Sequence, residues 1–206
     1  MLDPSKEALT QAHDQFLPFI NKGKSYNIKL QDISLPLSDT FDLIWIMHGF
    51  YAIPRIDLKR SIDHLLEMLS DNGTCFIAQA GRNSFYIDFY NQYSKYFNIR
   101  NSSFTSAEDI LEILVKMGVT YHVQTFNYNE CIDKNDNDSV NHYLFHECID
   151  NSFKPNNKNK KLTLKNLQFL SQIKKDRHFA QQYLDNYIQN EYYSFPQNVC
   201  LCLIKK

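Results

Sequence analysis

The sequence predicts an α/β fold, an open sheet covered by helices, in one domain with an insertion. Three observations carry that reading. Residues 41–47, 74–80 and 199–204 are short apolar runs of strand length. Stripes of helical spacing lie between them. At 206 residues the chain is near the size of one domain, for which about 150 residues is typical. Alternation of this kind is built as a sheet with helices on its faces.

In chain order, residues 4–22 read as a helix opened by Pro4 or Ser5. Leu9, Ala12, Phe16 and Phe19 or Ile20 recur there at three- and four-residue steps. Lys22, Gly23 and Lys24 stop it. Residues 27–32 read as a short strand, with Ile28 and Leu30 alternating with polar residues, and residues 35–39 as a loop. The nearly unbroken apolar run 41–47 is the pattern of a strand covered on both faces. Leu58, Ile62, Leu65, Leu66 and Leu69 form a helical stripe, and Asp71, Asn72 and Gly73 turn the chain into strand 74–80. Residues 84–97 read as a very aromatic helix. Thr105 with Glu108 fits a capping box. The stripe of Ile110, Leu111, Ile113, Leu114 and Met117 follows and ends at Gly118. Residues 120–126 and 199–204 complete the strands. Residues 129–194 read as a helical insertion, with helices expected near 138–149, 161–175 and 178–189 and a polar loop over 154–160. The α/β domain is then 1–128 and 195–206.

A net charge of -1 excludes nucleic-acid binding by bulk charge. The eight Lys and Arg of residues 151–177 read as a solvated loop and helix face. No apolar run approaches the roughly 18 residues of a membrane span. The first thirty residues carry no basic segment followed by an apolar one, so the expected location is cytoplasmic. Cys75, Cys131, Cys148, Cys200 and Cys202 are odd in number and lack C-x-x-C spacing, so free thiols are expected. His142 and His146 have metal-binding spacing but no third ligand at a suitable distance, so no metal is expected.

Acids stand at the segment boundaries. Asp3 precedes the first helix, Asp32 ends a predicted strand ahead of Ile33 and Ser34, and the strand from Phe41 runs to Met47 and His48. Ligands of open α/β sheets bind at the carboxyl ends of strands. A carboxylate there accepts both hydroxyls of a ribose. This order resembles class I S-adenosylmethionine-dependent methyltransferases over residues 1–127, with 199–204 matching the last strand. The resemblance implies a Rossmann-like sheet and S-adenosyl-L-methionine as cofactor. It places Asp3, with Ser5 beside it, at the ribose and Asp32, Ile33 and Ser34 at the adenine. Met47 would line the same site.

The run Phe41, Asp42, Leu43, Ile44 followed by Phe50 and Tyr51 is similar to histamine N-methyltransferase-like proteins. So are residues 104–109 and Cys131, Ile132, Asp133. That similarity implies a small amine as acceptor, with His48 and Tyr51 facing it. His48 would be the catalytic residue, accepting the amine proton or orienting the acceptor. Phe85 and Phe89 would be aromatic contacts. The sequence departs from that family by His48 in place of Gln and by Phe85 and Phe89 in place of Trp. It also lacks a counterpart of the family's Gly-rich turn, its earliest glycine being Gly23. The sheet is therefore expected to be N-terminally incomplete. A second chain supplying the missing part is one expectation. A catalytically inactive fragment acting as a binding partner is the alternative.

Overall fold

The structure is a computed structural model that describes residues 1–16, 19, 23–34, 40–51, 53–98, 104–144, 178–179 and 181–206. A five-stranded mixed sheet forms the centre. Its strands are β1 (Phe41–Met47), β2 (Leu69–Ala80), β3 (Tyr121–Asp133), β4 (Ile188–Gln189) and β5 (Tyr192–Lys205). The spatial order is β1-β2-β5-β3, with β4 paired to β5. β1 and β2 are parallel, and β5 runs antiparallel to β2, β3 and β4. The α-helices are α1 (Lys6–Phe16), α2 (Leu58–Met68), α3 (Phe85–Tyr96), α4 (Ala107–Met117) and α5 (Asn137–His142).

The core follows the predicted stripes. Leu58, Ile62, Leu65 and Met68 of α2 join Ile110 and Leu114 of α4 against Cys75 and Ile77 of β2 and Cys202 and Ile204 of β5. Side chains alternate across a strand, so these residues define one covered sheet face, which Ile44 and Ile46 of β1 extend. The other face is open at β1. Leu43, Trp45 and Met47 are 58%, 62% and 51% exposed. The expectation of a strand buried on both faces is corrected here, because α2 and α4 cover the Ile44 and Ile46 side.

Four more expectations change. Residues 27–32 are not a strand: Tyr26 makes a single parallel bridge to Leu2, and Leu30–Asp32 is a turn of 3-10 helix. A strand needs a ladder partner, and among the described residues β1 pairs only with β2. Residues 71–73 belong to β2, whose register to β1 shifts between Phe41 and Leu43. A Cβ on Gly73 would lie 2.8 Å from the Phe41 carbonyl oxygen, so the glycine serves a close approach of two strands. The capping box is one residue later than predicted. Ser106 and Asp109 form it, and Gly118 closes α4 at φ 70°. β3 and β5 also extend to Asp133 and back to Tyr192, into the range assigned to a helical insertion. Their thirteen-residue pairing is one long antiparallel ladder.

α5 and the helical residues 181–184 fall where helices were expected. The predicted helix 161–175, the basic residues 151–177, the loops 35–39 and 154–160, His146 and Cys148 lie outside the described residues. No helix among the described residues is long and apolar enough to cross a membrane.

Candidate functional site

The parallel strands β1 and β2 end side by side, and the chain leaves each through a short loop. The last β1 bond runs from the His48 N–H to the Ala78 carbonyl at 2.8 Å. His48 itself sits at φ 50°, in the left-handed region that few non-glycine residues occupy. The turn that follows is anchored by Phe50, which is fully buried in the core, and closed by the Ile53 N–H on the Phe50 carbonyl at 2.9 Å.

Three hydrogen bonds stitch this turn to the strand ends and to the segment before α4. The Thr105 hydroxyl donates to the Ile53 carbonyl at 2.7 Å, and the Thr105 N–H to the Tyr51 carbonyl at 3.3 Å. Gln79 Nε2, at the end of β2, donates to the Thr105 carbonyl at 2.8 Å. Arg55 and Arg82, from the loops after β1 and β2, both reach Asp109 at the start of α4, at 2.8 and 3.2 Å. The capping residue of α4 thus gathers the loops at one end of the sheet.

The second loop carries α3. Ser84 both accepts from the Asn198 N–H at 2.9 Å and donates to the Asn198 carbonyl, pinning the helix to β5. A Cβ on Gly81 would lie 2.0 Å from Asn198 Oδ1, so a side chain there would displace the Asn198 amide, which donates to Asn127. So held, α3 presents Tyr86 to His48. Tyr86 Oη lies 3.1 Å from His48 Nδ1, with the rings edge to face at 6.3 Å. Phe104 stands beside them, 5.3 Å from the Tyr51 ring, 6.2 Å from Tyr86 and stacked on Tyr90 at 3.9 Å. Burial lowers the His48 pKa below its ordinary value, so the imidazole is neutral near pH 7.

Of the predicted substrate contacts, His48 and Tyr51 share this strand end. Phe85 and Phe89 do not. They are 1% and 0% exposed, in a closed cluster with Tyr143, Phe179, Tyr183 and Phe195. Side chains so enclosed offer no surface to a substrate. The neighbouring face of the same helix turns half-buried Tyr86 toward His48 and buries Tyr90 against Phe104. Its i, i+4 spacing was present in the sequence beside the more conspicuous Phe85 and Phe89.

The predicted cofactor residues fall into two groups. Asp3 Oδ1 accepts from the Ser5 N–H at 2.6 Å, and the Ser5 hydroxyl accepts from the Ala8 N–H at 3.2 Å. Both therefore cap α1. Asn27 donates to the Asp3 and Pro4 carbonyls, tying this segment to the one holding Asp32. Asp32 and Ser34 are exposed and Ile33 is buried against α2. Met47 belongs to the other group, at the end of β1 next to His48. Among the described residues no strand pairing joins the Leu2–Tyr26 bridge to β1. As a test of fit, Asp3 keeps its second oxygen free of protein hydrogen bonds among the described residues, and Asp32 keeps both. Such acceptors suit a pair of sugar hydroxyls. No cluster of metal-ligating side chains occurs among the described residues.

No family model matches the sequence, and no curated protein matches it. Solved structures do match. A candidate methyltransferase of Bacillus halodurans superposes with a TM-score of 0.57 at 12% identity, over 100% of this chain and 81% of its own. The YcgJ protein of Bacillus subtilis gives 0.55 at 13% identity, over 100% and 80%. A candidate sarcosine dimethylglycine methyltransferase of Galdieria sulphuraria gives 0.52 at 12% identity, over 98% and 68%. At such identities the likeness establishes the fold, and the chain has the Rossmann-like α/β fold found in methyltransferases.

Proposed function

We infer that the chain is an S-adenosylmethionine-dependent methyltransferase acting on a small acceptor, with an amine nitrogen as the methylated atom. The observation that carries this reading is the strand end at His48. A neutral imidazole is held there on a left-handed backbone, against Tyr86 and beside Tyr51 and Phe104. The fold supports the methyltransferase class. The amine acceptor rests on the aromatic rings, whose faces attract cations, and on the resemblance to histamine N-methyltransferase-like proteins.

When bound, the cofactor supplies a methyl group already activated on a sulfonium. The protein's part is mainly to bring the acceptor into line. Asp3 and Asp32 are the residues proposed to hold its ribose and adenine end, with Ser34 and Met47 lining the site. Tyr51, Tyr86 and Phe104 would exclude water and orient the acceptor. His48 would take the proton that an ammonium must lose before its nitrogen has a lone pair to offer.

Calorimetry with S-adenosylmethionine, paired with transfer of its labelled methyl group to small primary amines, tests the reading. The segment bearing Asp3 and Asp32 is not paired with β1 among the described residues. Ordering the two parts on binding subtracts from affinity. The expected result is binding weaker than about micromolar, weakened further by Asp3→Ala and Asp32→Ala. No heat at millimolar cofactor, or binding indifferent to both substitutions, overturns it.

A further inference from the structure

A strand at the edge of a sheet leaves a row of backbone N–H and C=O groups unpaired, and such a row is a template for another strand. β1 is one edge, seven residues long and with a shift in its register. β3 is the other. Its thirteen residues pair with β5 in unbroken register, and among the described residues no strand pairs with its outer side. Residues 122–131 are all exposed. Lysine, proline and bulges are the usual guards of an edge. Residues 121–133 hold no Lys, Arg or Pro and no bulge, and their charged side chains, Glu130 and Asp133, stand near one end. Hydrogen bonds fix which residues face outward. The Gly81 N–H donates to the Asn198 carbonyl and the Lys206 N–H to the Gly73 carbonyl, so the even-numbered residues of β5 bond to β2. The Lys134 N–H donates to the Glu191 carbonyl, so the even-numbered residues of β3 bond inward to β5. Bonding direction alternates along an antiparallel strand. The odd-numbered residues, from Tyr121 to Cys131, therefore turn both backbone groups outward.

We propose that β3 is a self-pairing edge, joining two copies of this chain antiparallel across a two-fold axis at Phe126, so that their sheets become one. A two-fold interface brings the same patch of each copy together and must be complementary to itself. Side chains alternate between the faces of a strand, so even-numbered residues meet even and odd meet odd. With the axis at Phe126, Tyr121 stands opposite Cys131, Val123 opposite Asn129 and Thr125 opposite Asn127. Every outward N–H and C=O from 121 to 131 then has a backbone partner. The same register sets His122 opposite Glu130 of the second copy, twice over. Neither side chain has a hydrogen-bond or ion-pair partner among the described residues. An imidazole N–H donates to a carboxylate whether the ring is neutral or charged, and opposite charges directly across a pair stabilise it. Moving the axis to Thr125 or Asn127 separates the two. That charge match selects the register and makes a second copy the occupant.

Residues 121–131 make a smaller interface than the standard one of about 20–30 residues a side, so association in the micromolar range or weaker is expected. Sedimentation of the full chain between about 1 and about 300 μM is expected to show a reversible dimer. Val123→Pro removes one outward N–H and spares the inward ladder, the one place in a sheet where proline is tolerated. Phe126→Lys sets two like charges face to face at the axis. Each is expected to weaken the dimer about tenfold or more while the circular dichroism spectrum stays that of the parent. Should Val123→Pro fail to fold, Phe126→Lys, at a side chain that is 44% exposed, still decides. Disulfide cross-linking in a Cys131→Ser background reads the register. Phe126→Cys is expected to cross-link on oxidation, because opposed residues whose backbone groups point away from each other have Cα atoms about 4.5 Å apart. Gln124→Cys is expected not to, since its two copies stand about 14 Å apart along the strands. A monomer at every concentration, a dimer indifferent to both substitutions, or cross-linking of Gln124→Cys as ready as that of Phe126→Cys overturns the proposal.

Discussion

His48 brings together a left-handed backbone, a half-buried imidazole and one tyrosine partner. Its pKa is lowered by burial, with no charged neighbour as a cause. The consequence for stability has a definite sign. Unfolded, the imidazole titrates near the ordinary 6.5; folded, it titrates lower. As pH falls through 6.5 the unfolded chain takes a proton that the folded chain refuses, and stability drops until the folded value is passed. Urea unfolding at pH 7.5 and 5.5 is therefore expected to show a loss of stability that is smaller in His48→Gln. An equal loss in both proteins would show that His48 is not burial-shifted. Tyr86, its partner, was not singled out by sequence reading. Nothing in the chain order marks which of two adjacent aromatic faces of α3 turns to the strand ends. The pin between Ser84 and Asn198, 114 residues apart, makes that choice.

At the scale of the element, α4 does more than pack. Ser106 and Asp109 cap it reciprocally, at 2.9 Å from the Ser106 N–H and 3.4 Å from the Asp109 N–H. Asp109, whose side chain is 7% exposed, also receives Arg55 and Arg82. Removing only the cap hydroxyl with Ser106→Ala is expected to cost about 1 kcal/mol in urea unfolding. Asp109→Ala loses the cap and two ion pairs with arginines that are more than half exposed and keep Glu112, and is expected to cost about 1.5 kcal/mol. A smaller loss from Asp109→Ala than from Ser106→Ala would show that the arginine contacts contribute nothing. The sequence contained a competing box at Thr105 and Glu108. Both side chains are drawn off by long-range partners: Thr105 by the Ile53 carbonyl and Glu108 by the Arg82 N–H at 2.7 Å. Capping patterns are local, and two candidates one residue apart are resolved only by what stands across from them.

Across the whole molecule, the two sheet faces are unequal. α2 and α4 seal one. The other exposes Leu43, Trp45 and Met47 in a row on β1, with Trp45 lying 4.6 Å from the Phe76 ring. Three large apolar side chains on one strand face form the kind of contiguous patch that monomeric proteins rarely leave in water. Trp45 is the chain's single tryptophan, which makes the face easy to observe. Its fluorescence is expected to be quenched efficiently by acrylamide, and the protein to bind the dye ANS. Trp45→Ser is expected to reduce dye binding and to change stability by no more than about 0.5 kcal/mol. A blue-shifted, unquenched tryptophan would show that the face is covered in solution.

By itself the sequence determined the class of fold and most of its parts. Period-2 and period-3.6 patterns are local consequences of burying one side of an element. For that reason β1, β2, α2, α3 and α4 stood within a few residues of their places. It also placed His48 at the end of a strand, where an open sheet meets its ligands, while Tyr51 came only from the resemblance to histamine N-methyltransferase-like proteins. Only the tertiary structure decided the rest. Ladder partners come from distant segments. Residues 27–32 alternate like a strand yet have only the Leu2–Tyr26 bridge beside them, and the polar run 127–133 is a strand because residues 192–198 lie opposite. Helix orientation was equally out of reach. An aromatic helix with two usable faces turned Phe85 and Phe89 into the core and left Tyr86 for His48, because long-range bonds to β5 hold its first turn.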